Sequence, residues 1–221
     1  YIITSFNGGA SFLPPVRVDY ISDSLSRFPT VAVDAKGHPI VAFMKFNSSF
    51  LKSRWVVTKS TDFGKSFTKD VLASGYSGPN SEVCDCCPGA LVTSGNTSAM
   101  LYRDNLSNIR DIWSGVSNNN GTSFDYGFRV DSTNWMIMSC PSSGPDGVIL
   151  GDSLYSVFLS GGSGSYRAYL SKSSLSNRAV SSISRLTDNI PGLGQQNYPR
   201  IAADGDAMAI VWKQTVNSAS Q

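Results

Sequence analysis

The sequence predicts an all-β chain of repeated four-stranded antiparallel units that form part of a β-propeller. Three observations predict this fold. Four segments repeat one pattern at intervals of about 55 residues. Apolar side chains alternate with period two inside these segments, as half-buried strands require. No stretch shows a convincing helical period of 3.6 residues. Four strands in about 55 residues match a propeller blade, and a β-sandwich with accidental periodicity is the alternative.

Each repeat opens on an aromatic residue or a cysteine followed by proline, and continues as an apolar strand, a turn and a second apolar strand. The prolines lie at intervals of 59, 53 and 58 residues: Pro29, Pro88, Pro141 and Pro199. A third strand with an arginine near its start follows in three repeats, as "SRWVVTKS", "IRDIWSGVS" and "YRAYLSKS". The predicted blades cover residues 27–75, 86–135, 139–190 and, incompletely, 197–221.

A compact turn follows the third strand in the first two repeats. The segment "STDFGKSF" fits Ser-x-Asp-x-Gly-x-x-aromatic, and "SNNNGTSF" is the same turn with Asn in place of Asp. An Asp in such a turn accepts backbone hydrogen bonds, the Gly allows positive φ, and the aromatic ring packs between strands. We therefore predict structural rather than catalytic roles for Ser60, Asp62, Gly64, Phe67, Ser117, Asn119, Gly121 and Phe124.

These motifs resemble the sialidase-like propellers with Asp-box repeats, also called BNR repeats. The turn at residues 60–67 is similar to an Asp-box, and "SRFPTVAVDAKG" is similar to the Arg-Ile-Pro segment of the first sialidase blade, with Phe28 where Ile is usual. The second repeat resembles bacterial BNR proteins that carry a Cys-x-Cys-Cys-Pro segment. The resemblance implies six or seven blades. We therefore expect residues 1–221 to be a single domain, or a portion of one, with about four blades and a possible closing strand within residues 1–26.

The resemblance also implies a candidate activity. Sialidases use a Tyr nucleophile with a Glu partner, an Asp acid/base and three Arg that bind the substrate carboxylate. Arg27 matches the first of these Arg by its motif. The catalytic Asp is expected before the first Asp-box, yet no Asp or Glu lies between Asp34 and Asp62. We therefore predict a binding or structural module, with an exo-α-sialidase acting on terminal sialic acids as the alternative.

The second repeat holds a dense polar group that is a further candidate ligand site. Two Arg–Asp pairs close to a propeller channel suit a polar ligand such as a glycan. The alternative is that these pairs brace a hairpin. With Arg27, the candidate ligand-binding residues are Arg103, Asp104, Arg110 and Asp111.

Four cysteines lie in "SEVCDCCPGAL" and "MSCPSSG". Thiolate metal sites usually show Cys-x-x-Cys pairs with His support, so we predict no metal and no cofactor, with a soft-metal site such as copper(I) as the alternative. An even count in a chain of secreted character favours two disulfides. The repeats align Cys87 with Cys140, which predicts a Cys87–Cys140 bridge between blades, while Cys84 and Cys86 bridge locally or stay free.

Composition limits the partners and the location. The net charge is +2, charged residues make up 15%, and no basic run occurs, so a nucleic-acid partner is not expected. No apolar stretch approaches the roughly 20 residues of a membrane span. Low charge with abundant Ser, Gly and Asn predicts a secreted or cell-surface protein. The expected partners are a glycan or a surface protein, and a third class is other subunits of a surface assembly.

Overall fold

A computed structural model describes residues 1–20, 24–187 and 193–216 of the chain. In these ranges the regular elements are β-strands, and they form antiparallel sheets in chain order, as in successive blades of a propeller. The all-β propeller prediction is confirmed. No helix in this part of the chain is long and apolar enough to cross a membrane.

The first sheet has the order β1-β2-β3-β4. Its strands are β1 (Leu25–Val33), β2 (Pro39–Phe46), β3 (Arg54–Lys59) and β4 (Val71–Leu72). The third sheet has the same arrangement, with β10 (Asp146–Leu150), β11 (Ser153–Ser160), β12 (Arg167–Ser174) and β13 (Ala179–Arg185). The fourth has two strands, β14 (Leu193–Asp204) and β15 (Ala207–Val216). The predicted ends of the third and fourth blades, 188–190 and 217–221, lie outside the described residues.

The second sheet has an inner strand that is broken in two. Its strands are β5 (Glu82–Val83), β6 (Ala90–Ser94), β7 (Thr97–Asn105), β8 (Ile112–Ser117) and β9 (Tyr126–Arg129). Both β5 and β6 pair with β7, at Val83 opposite Asp104 and at Ala90 opposite Leu101. Six residues, 84–89, therefore loop out opposite two residues of β7. Three of the four cysteines lie in this loop.

Apolar side chains from adjacent sheets form the core. Strand β2 is buried along its whole length, and its side chains alternate between two faces because successive residues of a strand point in opposite directions. One face meets the second sheet through Ile40, Ala42 and Met44, which pack with Met100 and Tyr102. The opposite face of β7 meets the third sheet, where Leu101 packs with Leu154 and Phe158.

The N-terminal segment covers the other face of the first sheet. Val18 is buried and packs with Val41, Phe43 and Val56. Ile2 and Val16 hold the segment together through two backbone hydrogen bonds of 2.9 Å. The closing strand predicted within residues 1–26 is best matched by "VRVDYIS", residues 16–22. This stretch lies partly in the N-terminal segment, and Ile21 and Ser22 lie outside the described residues. A closing role for it stays a prediction.

Tyr76 locks the first two sheets together. Its ring lies in a notch made by Gly115 of β8 and Gly127 of β9, where a Cβ at Gly127 would overlap the ring. Its hydroxyl donates a 2.8 Å hydrogen bond to the carbonyl of Phe124, and burial raises its pKa to about 12. The two glycines therefore provide space for a side chain from the preceding blade.

The two compact turns share one hydrogen-bond pattern. The Ser60 hydroxyl accepts from the Gly64 N–H at 2.7 Å, and the Asp62 carboxylate accepts from the Ser66 N–H at 2.9 Å. The second turn repeats both bonds, from the Gly121 N–H to Ser117 and from the Ser123 N–H to Asn119, each at 2.9 Å. Gly64 and Gly121 have φ of 89° and 76°. Phe67 packs on the first-sheet face covered by Val18, and Phe124 packs in the core between the first two sheets. Identification of these turns as Asp-boxes stays a prediction.

Candidate functional site at the entry end

The candidate residues gather at one end of the sheets, here called the entry end. It is made by the starts of the inner strands and by the β2–β3, β7–β8 and β11–β12 connections. Antiparallel pairing brings these positions together, since Leu25 pairs with Phe46 at the end of β2. Arg27, the cysteine loop 84–89 and the β7–β8 connection all lie at this end. In propellers the loops at one such end surround the channel mouth.

Arg27 is exposed and is flanked by two aromatic rings. Its guanidinium lies 5.3 Å from the ring centre of Phe46 and 5.1 Å from that of Phe50. No carboxylate forms an ion pair with it in the ranges 1–20, 24–187 and 193–216. A cleft of about 290 Å³ adjoins it, lined in part by Tyr1 and Phe43. The site therefore presents to a ligand an exposed guanidinium that packs on aromatic rings.

An unusual backbone conformation positions Arg27. The next residue, Phe28, has φ of 51°, and the pairing of β1 with β2 shifts register between Arg27 and Thr30. Tyr198 repeats the feature, with φ of 53° and a register shift between Asn197 and Arg200. Bulky residues rarely adopt positive φ, and such strain is often found at functional sites. Two inner strands thus share a bulge directly before a proline.

Arg103 is buried, and each of its three guanidinium nitrogens donates to a backbone carbonyl. Its Nε, Nη1 and Nη2 donate to Ser143, Arg110 and Leu159 at 3.2, 2.6 and 2.8 Å. Its guanidinium also lies over the ring of Trp135, 5.1 Å from the centre. Arg103 therefore joins the second sheet to the third.

Arg110 and Asp111 also contact other parts of the protein. Arg110 donates through Nε to the Ile137 carbonyl at 3.2 Å and through Nη1 to the Cys84 sulfur at 3.0 Å. Asp111 accepts from the Trp135 N–H at 3.0 Å and pairs with Arg129 at 3.2 Å. The structure thus brings the predicted polar group together behind the entry end. A ligand-binding role for its members stays a prediction.

Asp104 differs from its neighbours because its carboxylate is buried without a partner. Its exposed fraction is 1%, and neither oxygen has a hydrogen-bond partner among the residues that the structure describes. Burial raises its pKa to about 6, and the nearby charges of Asp111 and Cys84 act in the same direction. Near neutral pH this carboxyl group therefore ionises at a cost to the fold.

The disulfide joins Cys86 to Cys140, so the predicted Cys87–Cys140 pairing is wrong. The alignment placed Cys87 with Phe28, but Phe28 lies within a continuous strand, whereas Cys87 lies in the looped-out segment 84–89. The following residue, Pro88, lies against Gly144, three residues beyond Pro141. This offset leaves Cys86 facing Cys140. The bridge still connects the second and third sheets.

Cys84 and Cys87 are free and buried, and their sulfur atoms lie 3.0 Å apart. The hydrogen bond with Cys87 lowers the pKa of Cys84 against the opposing effect of burial, and the positive charge of Arg110 lowers it further. The hydrogen bond to Cys84 and burial raise the pKa of Cys87. The sulfur atoms of Cys84, Cys86 and Cys87 lie within 4.8 Å of one another. Cys86 belongs to the disulfide, so two of these three sulfur atoms are free thiols.

Two other polar groups have structural roles. Burial opposes ionisation of Asp34, but hydrogen bonds from the His38 N–H and from Lys59 outweigh it and hold its pKa well below the usual value. Asp34 therefore fixes the β1–β2 turn. The segment "GDSL" is the β10–β11 turn, where Asp152 accepts from the Ser174 and Ser176 hydroxyls at 2.7 and 2.9 Å. A serine nucleophile needs a neighbouring base, and no histidine contacts Ser153 in the described part of the chain.

Two features of the entry end were missed from the sequence. Arg27 contacts the rings of Phe46 and Phe50. The two phenylalanines of "FNSSF", which begins at the last residue of β2, were the signal for these contacts in the sequence. The close pair Cys84 and Cys87 has Cys-x-x-Cys spacing, which was hidden because Cys86 interrupts it. Arg110 beside Cys84 had no local signal, since 26 residues separate them.

No protein-family model matches the chain, and no curated protein sequence matches it. Solved structures do. A protein of unknown function from Dyadobacter fermentans has a TM-score of 0.60 at 11% identity, over 98% of this chain and 60% of that one. The NanB sialidase of Streptococcus pneumoniae has a TM-score of 0.57 at 12% identity, over 98% and 32%. An α-L-arabinanase of Penicillium chrysogenum has a TM-score of 0.53 at 15% identity, over 79% and 54%.

The chain thus spans between about a third and three fifths of the length of these proteins. At such low identities the likeness shows the fold alone. The chain has the fold of part of a β-propeller, similar to that of propeller glycoside hydrolases such as the sialidase and the arabinanase.

Proposed function

We propose that this chain belongs to a secreted or cell-surface, sialidase-like propeller protein that binds carboxylated glycan ends at Arg27. The observation that carries the proposal is the exposed guanidinium that lies over the adjacent rings of Phe46 and Phe50. A guanidinium binds a carboxylate through two parallel hydrogen bonds. The exposed ring of Phe50 beside it supplies apolar surface for the face of a sugar, while the buried ring of Phe46 supports the guanidinium from below. Terminal sialic acid combines both features.

Binding without hydrolysis is the preferred function. Asp19 lines the same cleft as Arg27, but both of its carboxylate oxygens accept from Arg17. Asp34, the acidic residue of the first strand–turn, forms hydrogen bonds within its own turn. Strand β2 and the connection after it contain no Asp or Glu to donate a proton to a leaving group. General acid catalysis requires such a group within hydrogen-bond reach of the leaving oxygen.

Calorimetric titration with sialyllactose and with lactose tests the proposal. We expect the protein to prefer sialyllactose and the Arg27→Ala variant to bind it at least about tenfold more weakly, because a charge-assisted hydrogen bond contributes about 1.5–3 kcal/mol. Arg178→Ala is the matched control, since Arg178 also lies over an aromatic ring, 4.1 Å from the centre of Tyr126. Equal affinity for both sugars, or no effect of Arg27→Ala, would contradict the proposal.

An exo-α-sialidase is the second candidate, favoured by the position of Arg27 in its Arg-x-Pro segment. A fluorogenic sialoside separates the two functions. Turnover by the protein that Arg27→Ala abolishes would establish the enzyme. Sialyllactose binding without turnover is the expected result. If neither binding nor turnover occurs, a protein partner on the entry end becomes the leading function.

A further inference from the structure

The four cysteines lie close together and comprise one disulfide and one pair of free thiols. The Cys86–Cys140 disulfide is the oxidised half, and the Cys84–Cys87 pair is the reduced half. The Cys84 sulfur lies 3.0 Å from that of Cys87 and 3.5 Å from that of Cys86. Cys84 therefore stands between its reduced partner and the existing bridge.

The two halves differ in their access to solvent. Cys84 and Cys87 have exposed fractions of 0% and 1%. Cys140 is exposed and Cys86 is half-buried. External thiols thus reach the bridge but not the buried pair.

Arg110 supports a thiolate at Cys84. Its Nη1 donates to the Cys84 sulfur at 3.0 Å, while its Nε holds the carbonyl of Ile137, in the same connection as Cys140. A neighbouring guanidinium favours the thiolate form, which is the nucleophile in disulfide exchange. The lowered pKa of Cys84 agrees with this contact.

We propose that these cysteines form a thiol–disulfide exchange site in which the bond moves between Cys86–Cys140 and Cys84–Cys87. The Cys84 thiolate attacks the Cys86 sulfur, a Cys84–Cys86 bond forms, and Cys140 leaves as a thiolate that takes a proton from water. Cys87 then attacks the Cys84 sulfur while its proton passes to the departing Cys86 sulfur, and Cys86 leaves as a thiol. One disulfide and two thiols are present before and after, so no oxidant is consumed.

The site would take thiols and disulfides of other molecules as its substrates. An external thiolate attacks the exposed Cys140 sulfur of the bridge, forms a mixed disulfide there and releases Cys86 as a thiolate. A second thiol of the same reagent then resolves the mixed disulfide and frees Cys140. When the bond lies instead between Cys84 and Cys87, it is protected from such reagents. The exchange therefore decides whether the entry end carries a reducible bridge or two accessible thiols.

Pulse labelling of the native, full chain with N-ethylmaleimide tests the proposal. The protein starts with one disulfide, and acid-quenched samples are digested and mapped by mass spectrometry. We expect label on Cys140 to accumulate with time, together with an unlabelled Cys84–Cys87 disulfide. In Cys84→Ser the labelling of Cys140 should fall at least tenfold. Ser139→Ala, which alters the exposed residue directly before Cys140 but no sulfur, should label like the unaltered protein.

Three outcomes would overturn the proposal. The first is label confined to Cys84 and Cys87 with an intact Cys86–Cys140 bridge, and the second is no labelling of the folded protein. The third is a protein that retains a stoichiometric metal ion on its four reduced cysteines, as measured by elemental analysis. Tryptophan fluorescence confirms that each variant is folded, and the labelling pattern of the unaltered protein decides the question even if Cys84→Ser fails to fold.

Discussion

Two buried carboxylates show opposite effects of burial at the residue scale. Asp34 is surrounded by donors, from backbone N–H groups and from Lys59 at 3.0 Å. Asp104 is buried to a greater extent and has no such donors among the described residues. The first carboxylate is stabilised in its charged form and the second is destabilised. Asp34 therefore stays ionised at acidic pH, whereas Asp104 keeps its proton up to about pH 6.

Replacing Asp104 by Asn should stabilise the protein above pH 6. The folded-state pKa of about 6 exceeds the usual 3.8, so Asp104 costs no stability below about pH 4, and its cost grows as pH rises through 6. We expect Asp104→Asn to gain about 1–3 kcal/mol at pH 8 relative to its effect at pH 4. Urea unfolding of both proteins at the two pH values measures this difference.

The Asp34→Asn variant is the control, and its expected dependence on pH has the opposite sign. The pKa of Asp34 is lowered in the folded protein, so its contribution is complete above the unfolded pKa and is lost as pH falls. The loss caused by Asp34→Asn should therefore be larger at pH 7 than at pH 3. A gain from Asp104→Asn that did not change with pH would contradict the assigned cause.

At the scale of elements, turns and strands follow the sequence closely where hydrogen bonding is local. Asn119 occupies the place of Asp62 and accepts the same bond, from the N–H of Ser123. Its amide also donates to the Ser123 hydroxyl at 2.8 Å. The turn thus tolerates either a carboxylate or an amide at this position.

Asp62→Asn should therefore leave the first turn intact, whereas Asp62→Ala should destabilise it. Asn keeps the oxygen that accepts from Ser66, and Ala removes it. Thermal unfolding should show a clear decrease in Tm for Ala and a much smaller one for Asn. Equal decreases would mean that the charge, and not the acceptor, holds the turn.

The sequence was less informative where contacts join distant segments. The repeats, the third strands and the four-stranded sheets followed from period-two alternation, which is a local property of the strands. The disulfide partner did not, because the break in the inner strand between Val83 and Ala90 cannot be seen from the repeat spacing. The Arg110 contact was missed because 26 residues separate it from Cys84, whereas the Cys84–Cys87 pair was missed because Cys86 lies between them.

At the scale of the whole molecule, neighbouring sheets are held together by the contacts between them, here called seams. Two links between the second and third sheets are polar or covalent: Arg103, which donates to Ser143 and Leu159, and the Cys86–Cys140 bridge. The first and second sheets meet through apolar packing, Tyr76 and hydrogen bonds such as the 2.7 Å bond from the Ser53 hydroxyl to the Val83 carbonyl, and no disulfide joins them in the described ranges. The second seam thus depends on redox conditions and the first does not.

Cys140→Ser should therefore lower the free energy of unfolding by about 3–4 kcal/mol in non-reducing buffer. The bridge spans 54 residues of sequence, and closing a loop of this size restricts the unfolded chain strongly in the chain-entropy model. Guanidinium unfolding measures the loss, and Ser142→Ala provides the control. An unchanged midpoint for Cys140→Ser would show that the seam does not need the covalent bond.

The packing of Tyr76 against Gly115 and Gly127 has a consequence for the evolution of the sequence. A side chain at Gly127 would displace the ring, and the loss of the ring would leave an empty space between the two sheets. Neither change is tolerated well alone, so related genes should keep Tyr76, Gly115 and Gly127 together or replace them together. Ancestral and present-day copies of this propeller should therefore show these three positions as a co-varying set.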